Sequence, residues 1–337
     1  MKDFLYGKSI LITGGTGSFG QACVRYLLEK KDVARVIVFS RDEWKQWQMQ
    51  ESDPIFRHPN IRFFLGDVRD IDRLKLALHD VHYVIHAAAL KQVPAAEYNP
   101  TEFVKTNVNG AMNVTSAAIE RGVQHVICLS TDKAVNPINL YGATKLCSDK
   151  LFIAANSYVG KSEYPRFSVV RYGNVLGSRG SLLPFWQSLV QEGTTSLPIT
   201  DMDMTRFWMT LDQAVEFVLM ALREQTGGEI FVPKAPSIKI ADLGRALYPK
   251  IPLQVVGIRP GEKIHEILIS SDDARNTYAF DSHYRIMPAF AVQRTDKLIH
   301  SLKGATKVED GFSLASNTNH QLLTSEKEII SLVSQTS

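Results

Sequence analysis

Ser130-Thr131-Asp132-Lys133, followed closely by Tyr141-Gly142-Ala143-Thr144-Lys145, gathers three hydroxyls, a carboxylic acid, an amine, a phenol and a second amine into one short stretch. Tyr141 and Lys145 are four apart, so on a helix they share one face. A cation beside a phenol favours the phenolate and brings its pKa down from about 10. Tyr141 can then remove a hydroxyl proton while the same carbon is oxidised, and Thr131 can hydrogen-bond that hydroxyl. Asp132 and Lys133 add an acid and a base that a simple alcohol oxidation does not need. Their presence predicts a reaction in which oxidation is the first of several steps. Each has a plainer role: Asp132 as a turn or cap residue, Lys133 as a cation holding substrate oxygens. A bare Tyr-x-x-x-Lys also arises by chance in many helices, so its weight comes from the elements around it.

Those elements alternate. Short Val/Ile-rich runs at Ser9–Thr13, Val36–Ser40, Ile61–Leu65, Tyr83–His86, Val126–Leu129 and Phe167–Arg171 lack strict polar alternation, as parallel strands buried on both faces do. Helical periodicity fills Gln21–Lys30, Glu102–Arg121 and Leu140–Val159 between them. The expected fold is α/β, a doubly wound Rossmann parallel sheet with a smaller C-terminal substrate-binding lobe. The sheet domain is expected over 1–172, with 206–233 returning to it through the helix Leu211–Arg223 and the run Glu229–Pro233. Residues 173–205 and 234–337 then form the lobe and a tail whose amphipathic piece, Ser325–Val333, wraps the lobe or pairs subunits.

Strand Ser9–Thr13 runs into Gly14-Gly15-Thr16-Gly17-Ser18-Phe19-Gly20 and a helix. Gly14 permits a tight turn, Gly17 lets amides approach a pyrophosphate, and Gly20 allows close helix–strand contact. At the end of the second strand, Ser40 and Arg41, with Lys45 a turn on, suit a 2′-phosphate and favour NADP; Asp42 leaves NAD open. Asp67 and Val68 would flank the adenine. Ala87, Ala88 and Ala89 are small where the cofactor must come close. Together with Tyr141 and Lys145, these are the expected cofactor contacts.

At 337 residues and 45% hydrophobic, the chain can bury a large core, and a net charge of +3 excludes a strongly basic nucleic-acid surface. Cys23, Cys128 and Cys147 are too scattered for a disulfide framework and read as core thiols of a reducing cytoplasm. No run approaches membrane-spanning length, no signal pattern opens the chain, and no His/Cys cluster has metal-ligand spacing. His86, at a strand end, reads as a packed structural histidine.

Taken together, the glycine loop, Asp67-Val68-Arg69-Asp70, His86-Ala87-Ala88-Ala89, Ser130-Thr131-Asp132-Lys133 and Tyr141 to Lys145 resemble the extended short-chain dehydrogenase/reductase family. Further segments narrow the resemblance: Ser40-Arg41-Asp42-Glu43, Lys91-Gln92-Val93-Pro94, Glu97-Tyr98-Asn99-Pro100, Met204-Thr205-Arg206-Phe207-Trp208 and Arg259-Pro260-Gly261-Glu262-Lys263. These are similar to the configuration-inverting UDP-N-acetylglucosamine 4,6-dehydratases, which open the route to pseudaminic acid, a sugar of flagellins and surface glycans. Ordinary sugar-nucleotide dehydratases carry Thr-Asp-Glu where this chain has Thr131-Asp132-Lys133. Retaining, membrane-anchored relatives carry Met at the position of Tyr141. The resemblance implies an NADP-dependent lyase, cytoplasmic and homo-oligomeric, acting on UDP-N-acetylglucosamine. It assigns catalysis to Thr131, Asp132, Lys133, Tyr141 and Lys145. Arg206 and Arg259 would hold the diphosphate, Lys91 and Asn174 would face the sugar, and Glu262 would contact the uridine ribose. It further requires the Lys133 ammonium to be lowered by burial beside Lys145. A combined dehydratase/5-epimerase of N-acetyl-L-fucosamine synthesis, a 4-epimerase and a non-catalytic NADP-binding protein are the alternatives.

Overall fold

The computed structural model describes residues 3–160, 162–289 and 300–335. Six strands, β1 (Ser9–Thr13), β2 (Arg35–Ser40), β3 (Ile61–Leu65), β4 (Tyr83–His86), β5 (His125–Thr131) and β6 (Arg166–Tyr172), lie parallel in the order β3-β2-β1-β4-β5-β6. Strand Ile230–Pro233 continues the parallel run beside β6. Alternate residues enter opposite cores, as a strand's two-residue period requires. Leu11, Val84 and Val126 pack with Val114, Ala118 and Phe152 on one face. Ile10, Ile12, Ile85 and Ile127 pack with Cys23, Leu27, Val215 and Leu219 on the other. Burial on both faces explains why these strands read as continuous apolar runs.

The helix Leu211–Glu224 lies in that second core and leads to Ile230–Pro233, so this part of the chain does rejoin the sheet. The expected segment 206–233 is nonetheless too long. Strand Thr205–Met209 belongs to a separate four-stranded sheet, between Ser237–Lys239 and Asn174–Val175. The C-terminal part also differs from expectation. His283–Ile286, Thr277–Ala279 and Thr306–Lys307 extend the large sheet antiparallel at its edge, instead of all lying in the lobe. Two or three residues each, the outer two are too short to announce themselves by periodicity.

The smaller lobe closes around Trp186, Trp208, Leu197, Ile240 and Leu243. Each fully buried indole removes about 150–250 Å² from water, an upper limit of roughly 4–6 kcal/mol. The tail helix Glu326–Ser334 inserts Ile329 and Leu332 into this same cluster, so its apolar face is spent within its own chain. Cys23 and Cys128 are core thiols as expected, but Cys147 is exposed on the outer side of its helix. Among the described residues no helix is long and apolar enough to cross a membrane.

Candidate active site

The strand order reverses between β1 and β4, and the carboxyl ends of β1, β4 and β5 converge there, where open α/β sheets bind ligands. At β1 the chain enters the glycine loop with Gly14 at φ +67°. A Cβ on Gly14 would sit 2.9 Å from backbone atoms of Ala88, and one on Gly20 would sit 2.5 Å from Gly15. Only glycine allows these approaches. The Thr13 hydroxyl accepts the amides of Ala87 and Ala88 at 3.1 Å and bonds His86 Nδ1 at 2.8 Å, tying the two strand ends together. His86 is buried, and burial followed by Lys145 lowers its pKa to about 3, so it is a neutral packing residue. Thr16 is buried, Phe19 packs against the core, and Ser18 Oγ accepts the amide of Arg179 at 3.0 Å. With no room for a Cβ at Gly14, Gly15 or Gly20, this loop at the start of helix Ser18–Lys30 fits a dinucleotide pyrophosphate.

At the end of β2, Asp42 is committed: its Oδ1 accepts the Lys45 amide at 3.0 Å as helix cap, and its Oδ2 lies 3.3 Å from Lys45 Nζ. Ser40 Oγ accepts Gln46 Nε2 at 3.0 Å, leaving its proton to give. Arg41 is exposed and only 3.8 Å from Asp67, whose closer partner is Arg69 at 2.7 Å. Burial raises the Asp67 carboxyl, and the Arg69 contacts outweigh that, for a net lowering. The Val68 side chain is core, packed where a Cβ on Gly110 would meet it at 2.8 Å, which leaves its backbone to flank an adenine.

Asn139 caps the helix Leu140–Ala155, its Oδ1 accepting Gly142 N at 2.7 Å. Its Nδ2 donates to Gly261 O at 2.7 Å, fixing the substrate-lobe loop to the start of this helix. Tyr141 and Lys145 are both buried on it, with Thr131 near the Tyr141 phenol. The net effect on that phenol is opposite to expectation. Burial raises its pKa more than Lys145 and Lys133 lower it. Lys145 stays cationic: burial lowers it, but Cys128, Asp149 and Tyr141 raise it further.

Asp132 Oδ1 accepts Thr131 Oγ1 at 2.9 Å and Lys133 Nζ at 3.1 Å. Lys133 Nζ lies equally close, 3.1 Å, to Oε1 of Glu266. The expected lowering of Lys133 is therefore overturned. Burial does push the ammonium down, but Asp132 and then Glu266 outweigh it and raise it. Asp132 Oδ2 and Glu266 Oε2 are buried with no hydrogen-bond partner among the described residues. Such orphans at a cleft signal a group to be met there.

Arg206 does not present itself to a diphosphate. It is 6% exposed and gives its protons to the carbonyls of Thr205, Ile264 and Lys263 at 2.8–3.0 Å, with Nε 3.8 Å from Glu266. Arg259 is exposed, with Glu262 3.6 Å away; Glu262 also accepts Thr200 Oγ1 at 3.3 Å. Lys91 Nζ donates to Arg179 O at 3.3 Å, and burial, Lys133 and Arg179 together lower its ammonium. Asn174 follows Gly173, where a Cβ would stand 3.4 Å from Asp132 Oδ2. Gly173, the residue before Asn174, thus borders Asp132, and Lys91 lies near enough to Lys133 to be lowered by its charge. Sequence reasoning missed Glu266 and Arg179. Arg179 bonds the Thr16 carbonyl and so reaches from the 173–181 segment across the glycine loop. Its only signal was a cation between Gly177 and Gly180. That of Glu266 was an acid inside the apolar run from Ile264 to Ile269.

A family model described as polysaccharide biosynthesis protein matches residues 10–288. The chain is 53% identical over 333 residues to a UDP-N-acetylglucosamine 4,6-dehydratase (inverting) of Campylobacter jejuni, covering 98% of each. It is 43% identical to a UDP-glucose 4-epimerase of Rickettsia canadensis over 83% of this chain and 82% of the other. The X-ray structure of Pen from Bacillus thuringiensis aligns over 99% of each chain with a TM-score of 0.88 at 35% identity.

Proposed function

This chain belongs to the polysaccharide biosynthesis protein family of extended short-chain dehydrogenases/reductases, and from that premise we propose that it is a UDP-N-acetylglucosamine 4,6-dehydratase that inverts carbon 5. The observation carrying the reading is the convergence of Asp132 and Lys133 with Tyr141 at the end of β5, an acid and an amine in contact beside an oxidation dyad. Epimerisation at carbon 4 alone has no use for that pair, which favours dehydration.

The glycine loop, Ala87 to Ala89 and the exposed Arg41 with Ser40 would hold the cofactor as NADP. Asp42, spent as a helix cap, would not compete for a ribose hydroxyl. When bound, a nicotinamide supplies the two-electron chemistry, oxidising carbon 4 and later reducing carbon 6. Burial holds the Tyr141 phenol neutral against the pull of Lys145 and Lys133, and a cationic ring bound beside it would favour the phenolate. Tyr141 takes the 4-hydroxyl proton, with Thr131 orienting that oxygen. The resulting ketone acidifies carbon 5. Lys133 as free amine removes the carbon-5 proton, and Asp132 protonates the 6-hydroxyl as it departs as water. Lys91 and Asn174 would contact the sugar. The exposed Arg259 would meet the diphosphate, and Glu262, beside it, the ribose. Arg206 is better placed to brace Glu266 than to bind phosphate.

The place of the product in pseudaminic acid synthesis, a cytoplasmic setting and assembly into a homo-oligomer belong to the same proposal. They rest on the resemblance to inverting enzymes.

Incubation with UDP-N-acetylglucosamine in heavy water, followed by NMR, tests the reading. A 4-keto-6-methyl sugar of L-arabino configuration with deuterium at carbon 5 is expected; turnover without loss of water would overturn it.

A further inference from the structure

The dehydratase reading demands opposite proton states from two groups in contact: Asp132 must hold a proton for the leaving hydroxyl, and Lys133 must lack one. The geometry offers a second acceptor. Lys133 Nζ is 3.1 Å from Asp132 Oδ1 and 3.1 Å from Glu266 Oε1, and Glu266 is 1% exposed. The two carboxylates come from different parts of the fold. Asp132 follows β5, while Glu266 precedes the strand Ile267–Ile269 and belongs to the loop that carries Arg259 and Glu262. Glu266 is anchored from behind. Its amide donates to Ser316 Oγ at 2.9 Å, its carbonyl accepts the Ser316 amide at 2.8 Å, and Arg206 Nε lies 3.8 Å from Oε1. Oε2 has no partner among the described residues.

We propose that Glu266 is a positioning residue that accepts the Lys133 proton, so that Lys133 meets carbon 5 as a free amine while Asp132 keeps its own proton. Once Asp132 is an acid, Glu266 is the one carboxylate left in contact with Lys133 among the described residues. A Lys133 N–H bond breaks and a Glu266 O–H bond forms. The amine takes the carbon-5 proton as the C–H pair becomes the carbon 5–carbon 6 double bond, and the carbon 6–oxygen bond breaks onto the proton from Asp132. Lys133 is then again an ammonium, Asp132 a carboxylate and Glu266 an acid. Passage of the Glu266 proton through Lys133 to Asp132 restores the starting set without a proton from solvent. Burial already favours the neutral form of Glu266, with Asp132 adding to it against Lys133 and Arg206. The charged groups facing this pair are Asp132, Arg206 and Lys263, with Tyr141 and Lys91 near Lys133.

This inference rests on the dehydratase reading, and the test separates them. Wild-type enzyme that forms no 6-methyl product fails the reading itself. If wild type dehydrates, Glu266→Gln is mixed with UDP-N-acetylglucosamine in heavy water. Reduced nicotinamide should form at the wild-type rate, because Tyr141 and Lys145 are untouched. Deuterium entry at carbon 5 should fall about a hundredfold, the scale of a lost general base. What remains should rise with pH, as solvent hydroxide replaces Glu266 in freeing the amine. Glu266→Asp, a carboxylate one methylene shorter, should recover part of the exchange; if the amide variant does not fold, it should itself show slowed exchange with intact oxidation. Exchange within about twofold of wild type in the folded variants, or faster, would mean that Lys133 passes its proton to Asp132, and would overturn the proposal. Equal loss of oxidation and exchange would reduce Glu266 to a structural support and overturn it as well.

Discussion

Gly142 occupies the first turn of the helix bearing Tyr141, and a Cβ there would lie 2.1 Å from the backbone oxygen of Lys133 and 3.0 Å from its carbonyl carbon. Neither neighbour can rotate away, so Gly142→Ala must separate the helix start from the Asp132–Lys133 turn by about 1 Å to reach even a tight contact. That displacement moves the Tyr141 phenol relative to Lys133 and Thr131, and misplacements of this size cost about a hundredfold in rate. Overpacking of this kind also costs roughly 1–3 kcal/mol of stability. The glycine loop lies on another strand, so its pyrophosphate contacts should survive and the cofactor should still bind, with affinity lowered only through Tyr141 and Lys145. The assay is steady-state dehydration by NMR, with cofactor titration and a denaturant melt on the same preparation. A folded, cofactor-binding Gly142→Ala enzyme with wild-type kcat would refute the claim that this close approach sets the spacing of acid, amine and phenol.

Gly14→Ala places a Cβ at φ +67° and 2.9 Å from Ala88, so cofactor affinity should fall with a strain of about 1–2 kcal/mol; undiminished cofactor content after purification would count against the loop assignment. Arg41→Ala should weaken NADP about tenfold, as loss of one charge-assisted contact does, while NAD binding changes little; equal effects in fluorescence titrations would remove Arg41 from the 2′-phosphate. His86 binds its proton only near pH 3 when folded, against 6.5 when unfolded. Between those values the unfolded chain holds the extra proton, so stability declines as pH falls, by up to about 1.4 kcal/mol per pH unit. His86→Asn should flatten the decline in denaturant midpoint between pH 6.5 and 5, and an unchanged slope would contradict this assignment.

The central strands were legible because both their faces are buried, which leaves short runs of Val and Ile between turn residues. The segment Glu102–Arg121 was harder. It is a helix interrupted by a π-helical turn, Val104–Asn109, where Asn107 leaves solvent to bond both backbone groups of Leu90 and the Thr144 hydroxyl. Those tertiary bonds override the local repeat. The smaller lobe was legible only as a change of rhythm, since its strands are short and pair across large separations, as Leu253–Val255 does with Leu197–Ile199. In the site, Tyr141, Lys145, Asp132 and Lys133 are near neighbours in sequence and so could be found together. Glu266 reaches them only through the fold, and its carboxylate adds to that of Asp132 in reversing the Lys133 expectation. Spacing within a motif cannot count a carboxylate that arrives from another lobe. Arg206 is turned to the carbonyls of Thr205, Ile264 and Lys263, and the last two reach it only through the fold.

The most direct measurement uses UDP-N-acetylglucosamine carrying deuterium on carbon 4. If one bound cofactor oxidises that carbon and reduces carbon 6 within a single turnover, the label must reappear in the new 6-methyl group of the product. Methyl groups free of label, or label released to water, would contradict the account.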